Sequence, residues 1–168
     1  MPVLLYPMGR HLRIGHAPHM VSQRLRYGRY VQAGNIYALT TVTAHRQRLF
    51  ADAGNAALMI DALRHVEATG LTHSLAWVVM PDHLHWLLQL RAGTLAQCMG
   101  GLKSRSSRLI NACLQRRGPL WQHGYHDHAI RTDESLRELA AYILANPVRA
   151  GLADQVGAYP HAWCRWLL

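Results

Sequence analysis

This chain is short of acid. Nine Asp and Glu stand against eighteen Lys and Arg among 168 residues, which leaves a formal net charge of +9 and a pI near 10.2. Charged residues make up 16%, below the ~25% of an average soluble domain, while apolar residues at 50% are ordinary for a folded one. A disordered polar chain is therefore excluded. Cysteine is also sparse: Cys98, Cys113 and Cys164 are odd in number and widely spaced, which suits a reducing compartment better than a disulfide framework. Long apolar runs are missing too. The longest, Leu75 to Pro81, is far short of the roughly 18–20 residues of a membrane span. No basic stretch followed by an apolar core opens the chain, so no secretory leader is expected. The expectation is one cytoplasmic domain of ordinary size.

Lysine is nearly absent: Lys103 stands alone and the other seventeen basic residues are arginine. A surplus of positive charge this large on a small domain points to a polyanion partner, with nucleic acid the commonest. The planar guanidinium suits phosphates and base edges. Codon bias in a GC-rich genome accounts for the Arg/Lys ratio equally well, but not for the net charge.

Residues 1–30 carry Arg, His, Pro and Gly without a sustained period, and residues 1–28 are read as a basic N-terminal arm or extension ahead of a domain over 29–168. From Ile36 to Thr43, β-branched and aromatic residues predict a strand. Ala56, Leu58, Met59, Leu63 and Val66 recur at helical spacing over 53–69, and Gly70 stops that run. Leu75–Met80 reads as a buried strand, Pro81-Asp82 as a break, and His83–Leu90 as a second strand of a hairpin. Thr94 caps a helix running to about Arg117, with Gly100-Gly101 inside it. A short strand follows over Tyr125–Arg131. Thr132 or Asp133 then caps a helix over about 134–145, closed by Asn146-Pro147. Trp163 and Trp166 are expected to pin the tail. This order is the split pattern of a ferredoxin-like α+β fold: an antiparallel sheet with helices on one face and a further C-terminal helix docked beside it.

His83 and His85 lie two apart in a strand, so they share one face with Leu87, while Leu84, Trp86, Leu88 and Leu90 point to the other, toward the helices. Two imidazoles side by side on an apolar strand favour a divalent metal. Spacing alone is weak evidence: with twelve histidines, roughly one His-x-His is expected by chance, and His126-Asp127-His128 is a second. That second pair can build a rival, zinc-hydrolase-like site with the first, hydrogen-bond in the core, or contact DNA. On the last predicted helix, Glu138, Tyr142 and Asn146 recur every fourth residue and share a face. A hydroxyl one turn from an amide oxygen can supply a nucleophile beside a metal ligand. A helical Tyr is more commonly core or rim, and Asn before Pro commonly a helix terminator. Tyr125, without an amide at matching offset, is the rival nucleophile.

Three segments in order, Met80-Pro81-Asp82-His83-Leu84-His85, Trp121–Arg131 and Tyr142–Leu152 with its Asn146-Pro147-Val148-Arg149-Ala150-Gly151 run, resemble the REP-associated tyrosine transposases, a branch of the HUH single-strand transposases of bacterial insertion sequences. The resemblance spans about Arg29 to Tyr159, and residues 1–19 lie outside it. It implies a ferredoxin-like sheet carrying His83 and His85 as metal ligands, with Asn146 as third ligand and Tyr142 as nucleophile on a C-terminal helix. The implied activity is a metal-dependent DNA endonuclease and strand transferase, working on hairpin or single-stranded DNA through a 5′-phosphotyrosine. A phenol titrates near ~10 and is a poor nucleophile at neutral pH, so an Mg²⁺ or Mn²⁺ ion would orient the phosphate and offset the charge growing on its oxygens. Lys103, Arg105, Arg108, Arg131 and Arg149 are candidate DNA phosphate contacts, and Trp121 can stack on an unpaired base or be buried. The resemblance further implies a bacterial, nucleoid-associated protein acting as a monomer rather than a helix-swapped dimer. The alternatives are a hairpin-binding protein of the same fold that has lost catalysis, and a His-rich metal hydrolase.

Overall fold

A computed structural model describes residues 33–130 and 135–166. The boundary read at residues 28 and 29, the caps read at Thr132 and Asp133, and Arg131 lie outside the described residues. Five strands form one antiparallel sheet: β1 (Ile36–Val42), β2 (Thr72–Met80), β3 (His83–Leu90), β4 (His126–Ala129) and β5 (Ala162–Cys164), in the order β4-β1-β3-β2-β5. The first four stand in the ferredoxin-like arrangement expected from the sequence, with β1 and β3 central. The fifth was not anticipated: three residues carry no periodicity of their own, and β5 exists because Trp163 lies opposite Trp77 and stacks on it, with ring centres 6.3 Å apart.

Helix α1 (Ala53–Ala68) begins where the Asp52 side chain accepts from the Asn55 amide, and it stops before Gly70, whose φ of +78° suits glycine. Helix α2 (Leu95–Cys113) starts at the expected Thr94, which forms a capping box with Gln97, and runs unbroken through Gly100-Gly101. It ends four residues short of the predicted Arg117. Both helices cover one sheet face, where Leu84, Trp86, Leu88 and Leu90 of β3 join Tyr37, Leu39, Met59, Leu63, Met99 and Leu102 in the main core.

Helix α3 (Leu136–Leu144) is capped by Ser135, whose hydroxyl accepts from the Glu138 amide, and a short turn α4 (Asn146–Arg149) follows after Ala145. It docks on the opposite face, laying Ala140, Ile143 and Leu144 against Val78, Met80 and Leu87 in a second cluster. A bulge in β2 at Leu75 allows this. The extra residue shifts the register between Ser74 and Ala76, so Ser74 faces α1 and α2 while Leu75 and Ala76 both join the second cluster. The sheet is thus covered on both faces, and the second face carries the histidines.

Candidate active site

The hairpin turn sets the position of His83. Met80 lies opposite His83, so Pro81-Asp82 is a two-residue connection. Hairpins of that length favour turns with φ above zero, which neither residue adopts. The turn is instead held from outside: the Thr43 amide and hydroxyl donate to the Asp82 carbonyl at 2.9 and 3.0 Å, and the Phe50 amide donates to the Pro81 carbonyl at 2.9 Å. The Asp82 side chain then points back at the strand. One carboxylate oxygen lies 2.5 Å from Nδ1 of His83, and the other pairs with Arg46 at 3.1 Å. Arg46 reaches it from a left-handed backbone, φ +52°, next to His45 at +54°, two consecutive strained residues at the edge of the site.

His85 is held by a different neighbour. Its Nδ1 lies 2.9 Å from the Thr40 hydroxyl, directly across the ladder on β1. With both Nδ1 atoms engaged, the two Nε2 atoms face each other 3.1 Å apart. That is close to the spacing of two adjacent ligands at about 2.1 Å from a common cation. Burial, then His83 and Arg149, push the His85 imidazole down to about 4 against the opposing pull of Asp82, so it is neutral at physiological pH and its lone pair is available. Burial by itself would raise the Asp82 carboxyl, but the hydrogen bond and charge of His83 and of Arg46 outweigh it and hold it below the usual value. A carboxylate behind one histidine and a hydroxyl behind the other form the outer shell that orients metal-binding imidazoles. The residues present therefore fit a divalent ion.

Among the described residues, no three of His, Cys, Asp and Glu gather around one point. His126 and His128 do share the face: Thr40 lies opposite both His85 and His126. But β1 stands between, and two strand spacings, about 9.5 Å, separate the pairs. The four-histidine site is not formed by the described residues.

Tyr142 and Asn146 do fall on one side of the α3–α4 segment, as their spacing predicts, and Arg149 ties them together. One guanidinium nitrogen donates to the Tyr142 carbonyl at 2.9 Å and to Oδ1 of Asn146 at 2.8 Å, while the guanidinium carbon lies 4.2 Å from the centre of the Tyr142 ring. Tyr142 is 56% exposed. The link to the histidines is electrostatic: the Arg149 charge acts on His85. Tyr125 packs against the core on the α1–α2 side, away from the histidine face.

The remaining candidates divide. Lys103, Arg105 and Arg108 ride on α2, across the sheet from the histidines. The Lys103 amine donates to the Gln122 and Gly124 carbonyls and so holds the segment leading into β4. Arg105 pairs with Asp61 of α1 at 3.0 Å, and Arg108 is exposed beside it. Trp121, a candidate for base stacking, is 7% exposed: its ring packs on Phe50 and its indole N–H donates to the buried Ser106 hydroxyl at 3.0 Å. That polar handle draws the ring into the core, so of the two readings burial is the one observed. The sequence reading missed Thr40, Arg46 and the outer-shell role of Asp82. Only Asp82, adjacent to His83, carried a signal that could have found it.

No helix among the described residues is long and apolar enough to cross a membrane. Residues 32–146, about two thirds of the chain, match the family model described as "Transposase IS200 like". A REP-associated tyrosine transposase of Escherichia coli K12 is 32% identical over 85 residues, 51% of this chain and 50% of that protein. The chain spans about half the length of the curated relatives it matches. A solved structure of a REP-associated tyrosine transposase bound to a REP hairpin superposes with a TM-score of 0.69 at 26% identity, covering 81% of this chain and 80% of that one. The family read from three short motifs is therefore found again over most of the described fold, and the chain belongs to the IS200-like transposases.

Proposed function

We propose that the protein cleaves and rejoins single-stranded DNA at the foot of a hairpin, with Tyr142 as nucleophile and with His83, His85 and Asn146 holding an Mg²⁺ or Mn²⁺ ion. The observation that carries the reading is the facing pair of Nε2 atoms, 3.1 Å apart and braced by Asp82 and Thr40, on the sheet face where α3 docks. When bound, the metal supplies charge stabilisation to the phosphate oxygens, and Mn²⁺ suits the two nitrogen donors better than Mg²⁺. The side chains do the rest. Asp82 and Thr40 fix both imidazole planes, so no reorganisation is needed when substrate arrives. The exposed Tyr142 phenol is open to a phosphodiester approaching from solvent. Its attack on phosphorus expels the 3′-oxygen and leaves a 5′-phosphotyrosine, which conserves the bond energy for rejoining a second 3′-OH without ATP. Arg149 and Arg131, which flank α3 in the sequence, are the proposed phosphate contacts near the cut. Lys103, Arg105 and Arg108, on the far layer, suit only phosphates remote from it.

The test is a denaturing-gel assay on 5′- and 3′-labelled hairpins from the source genome, with Mn²⁺ or Mg²⁺, comparing wild type with Tyr142→Phe. A protein-linked 3′ fragment that vanishes in Tyr142→Phe is expected. Cleavage that survives the substitution moves the nucleophile elsewhere. Tight binding without cleavage by the wild type makes the protein a hairpin binder instead.

A further inference from the structure

Arg149 occupies the atom that this reaction needs open. The Asn146 carboxamide is held at both ends: Nδ2 donates to the Ile143 carbonyl at 2.8 Å, and Oδ1 accepts from Arg149 at 2.8 Å. Oδ1 is the oxygen that the proposed function gives to the metal. An amide oxygen has two lone pairs, but a guanidinium and a divalent cation sharing it repel each other. The same guanidinium lies over one face of the Tyr142 ring, 4.2 Å from its centre, and leaves the phenol exposed. Arg149 is itself exposed, and no carboxylate among the described residues pairs with it. Its positive charge therefore rests on two neutral oxygens, both weaker partners than a phosphate, which accepts charge-assisted, forked hydrogen bonds from arginine.

We propose that Arg149 is a substrate-responsive latch: in the DNA-free protein it holds Oδ1 of Asn146, and an arriving phosphodiester draws it away and frees that oxygen. The latch rests on Asn146 being a ligand, as proposed above. It gives the ion two protein ligands before DNA binds and three afterwards, so the metal and the substrate assemble the site together. By linkage each tightens the other. Arg149 acts here as a positioning residue, and its effect is visible without any cleavage.

The experiment is a Mn²⁺ titration of the full chain, following the free-ion signal by electron paramagnetic resonance. It compares wild type, Asn146→Ala, Arg149→Lys and the double variant, first without DNA. Lysine keeps the charge, but its ammonium stops short of the position that the guanidinium nitrogen reaches, so a gain in affinity cannot be credited to removing a cation. Expected is no change for Asn146→Ala alone, about threefold or more tightening for Arg149→Lys, and loss of that gain in the double variant. Arg149→Gln, with its own Asn146→Ala partner, repeats the cycle should the lysine variant fold poorly. Unchanged affinity in both Arg149 variants, or a gain that persists without Asn146, overturns the latch. The underlying reading is tested separately with hairpin DNA bound, in a Tyr142→Phe background that cannot cleave. There Asn146→Ala should weaken Mn²⁺ binding. If it does not, Asn146 is no ligand, and the proposed ligand set falls together with the latch.

Discussion

Lowering the pH from 7 to 4 should destabilise this protein through His85. Burial first, then His83 and Arg149, push its imidazole from 6.5 down to about 4, with Asp82 pulling the other way. Because the folded value lies below the unfolded one, the unfolded chain binds the proton more readily in between. The stability linked to His85 is therefore complete above 6.5, drains away as pH falls toward about 4, and changes no further below that. At about 1.4 kcal/mol per pH unit, the gap is worth about 3 kcal/mol, a large share of the roughly 5–15 kcal/mol that holds a typical domain together. Asp82, held below 3.8, gives up its own contribution only at lower pH and stays out of this window. The assay is urea unfolding followed by tryptophan fluorescence at pH 7, 6, 5 and 4 in a metal chelator, on wild type and His85→Gln. Glutamine can keep a hydrogen bond to Thr40 but does not titrate. The wild type should lose about 3 kcal/mol more than the variant over the interval. Equal losses, or a difference that grows as pH rises, would refute the placement of His85 as a buried neutral group.

Three further outcomes follow from the same geometry. Asp82→Ala removes the carboxylate behind His83 and should weaken Mn²⁺ binding about tenfold, measured by the same free-ion signal; unchanged affinity would mean that His83 needs no outer shell. Trp121→Phe deletes the indole bond to Ser106 and should cost about 1 kcal/mol in urea unfolding while leaving hairpin affinity intact. Lost affinity at unchanged stability would return Trp121 to the DNA surface. Burial pushes the Cys98 thiol up to about 12, whereas Cys113 is exposed, so a thiol reagent should label Cys113 in the native protein and Cys98 only on unfolding, as peptide mapping will show.

What was legible in the sequence was local. The alternation through Leu84, Trp86, Leu88 and Leu90 placed the histidines on the opposite face, and the register bears this out. Thr94 and Gly70 marked helix ends because a cap or a left-handed residue acts within one turn of its own position. Apart from Asp82, which neighbours His83 in the chain, the misses were made by distant partners. The hydrogen bond between Thr40 and His85 spans 45 residues, and the Arg46 pairing with Asp82 spans 36. β5 depends on Trp77, far upstream, and the sheet face under α3 depends on a bulge that one extra residue puts into β2. None of these leaves a period or a motif. Trp121 shows the same limit from the other side: a tryptophan ahead of a basic segment reads equally as a stacking platform or a core residue, and only Ser106, fifteen positions earlier, decides it.

The two halves of the site are held by different forces, and the difference suits their tasks. His83 and His85 sit on a central strand with ladder partners on both sides, and each ring is fixed by a directional hydrogen bond to Asp82 or Thr40. Imidazole ligands need that, since a misdirected lone pair is a lost ligand. The tyrosine half is seated by Ala140, Ile143 and Leu144 on an apolar patch of the same face, a non-directional contact in which small shifts cost little. Its polar bonds are local, made within α3 and α4 by Arg149 and Asn146. In the reaction proposed above, Tyr142 attacks one phosphodiester and later releases it to a different 3′ end, and such a seat serves that better than a rigid bond to the histidines would. The fixed half of the site is therefore in the sheet, and the adjustable half is on the helix that carries Tyr142.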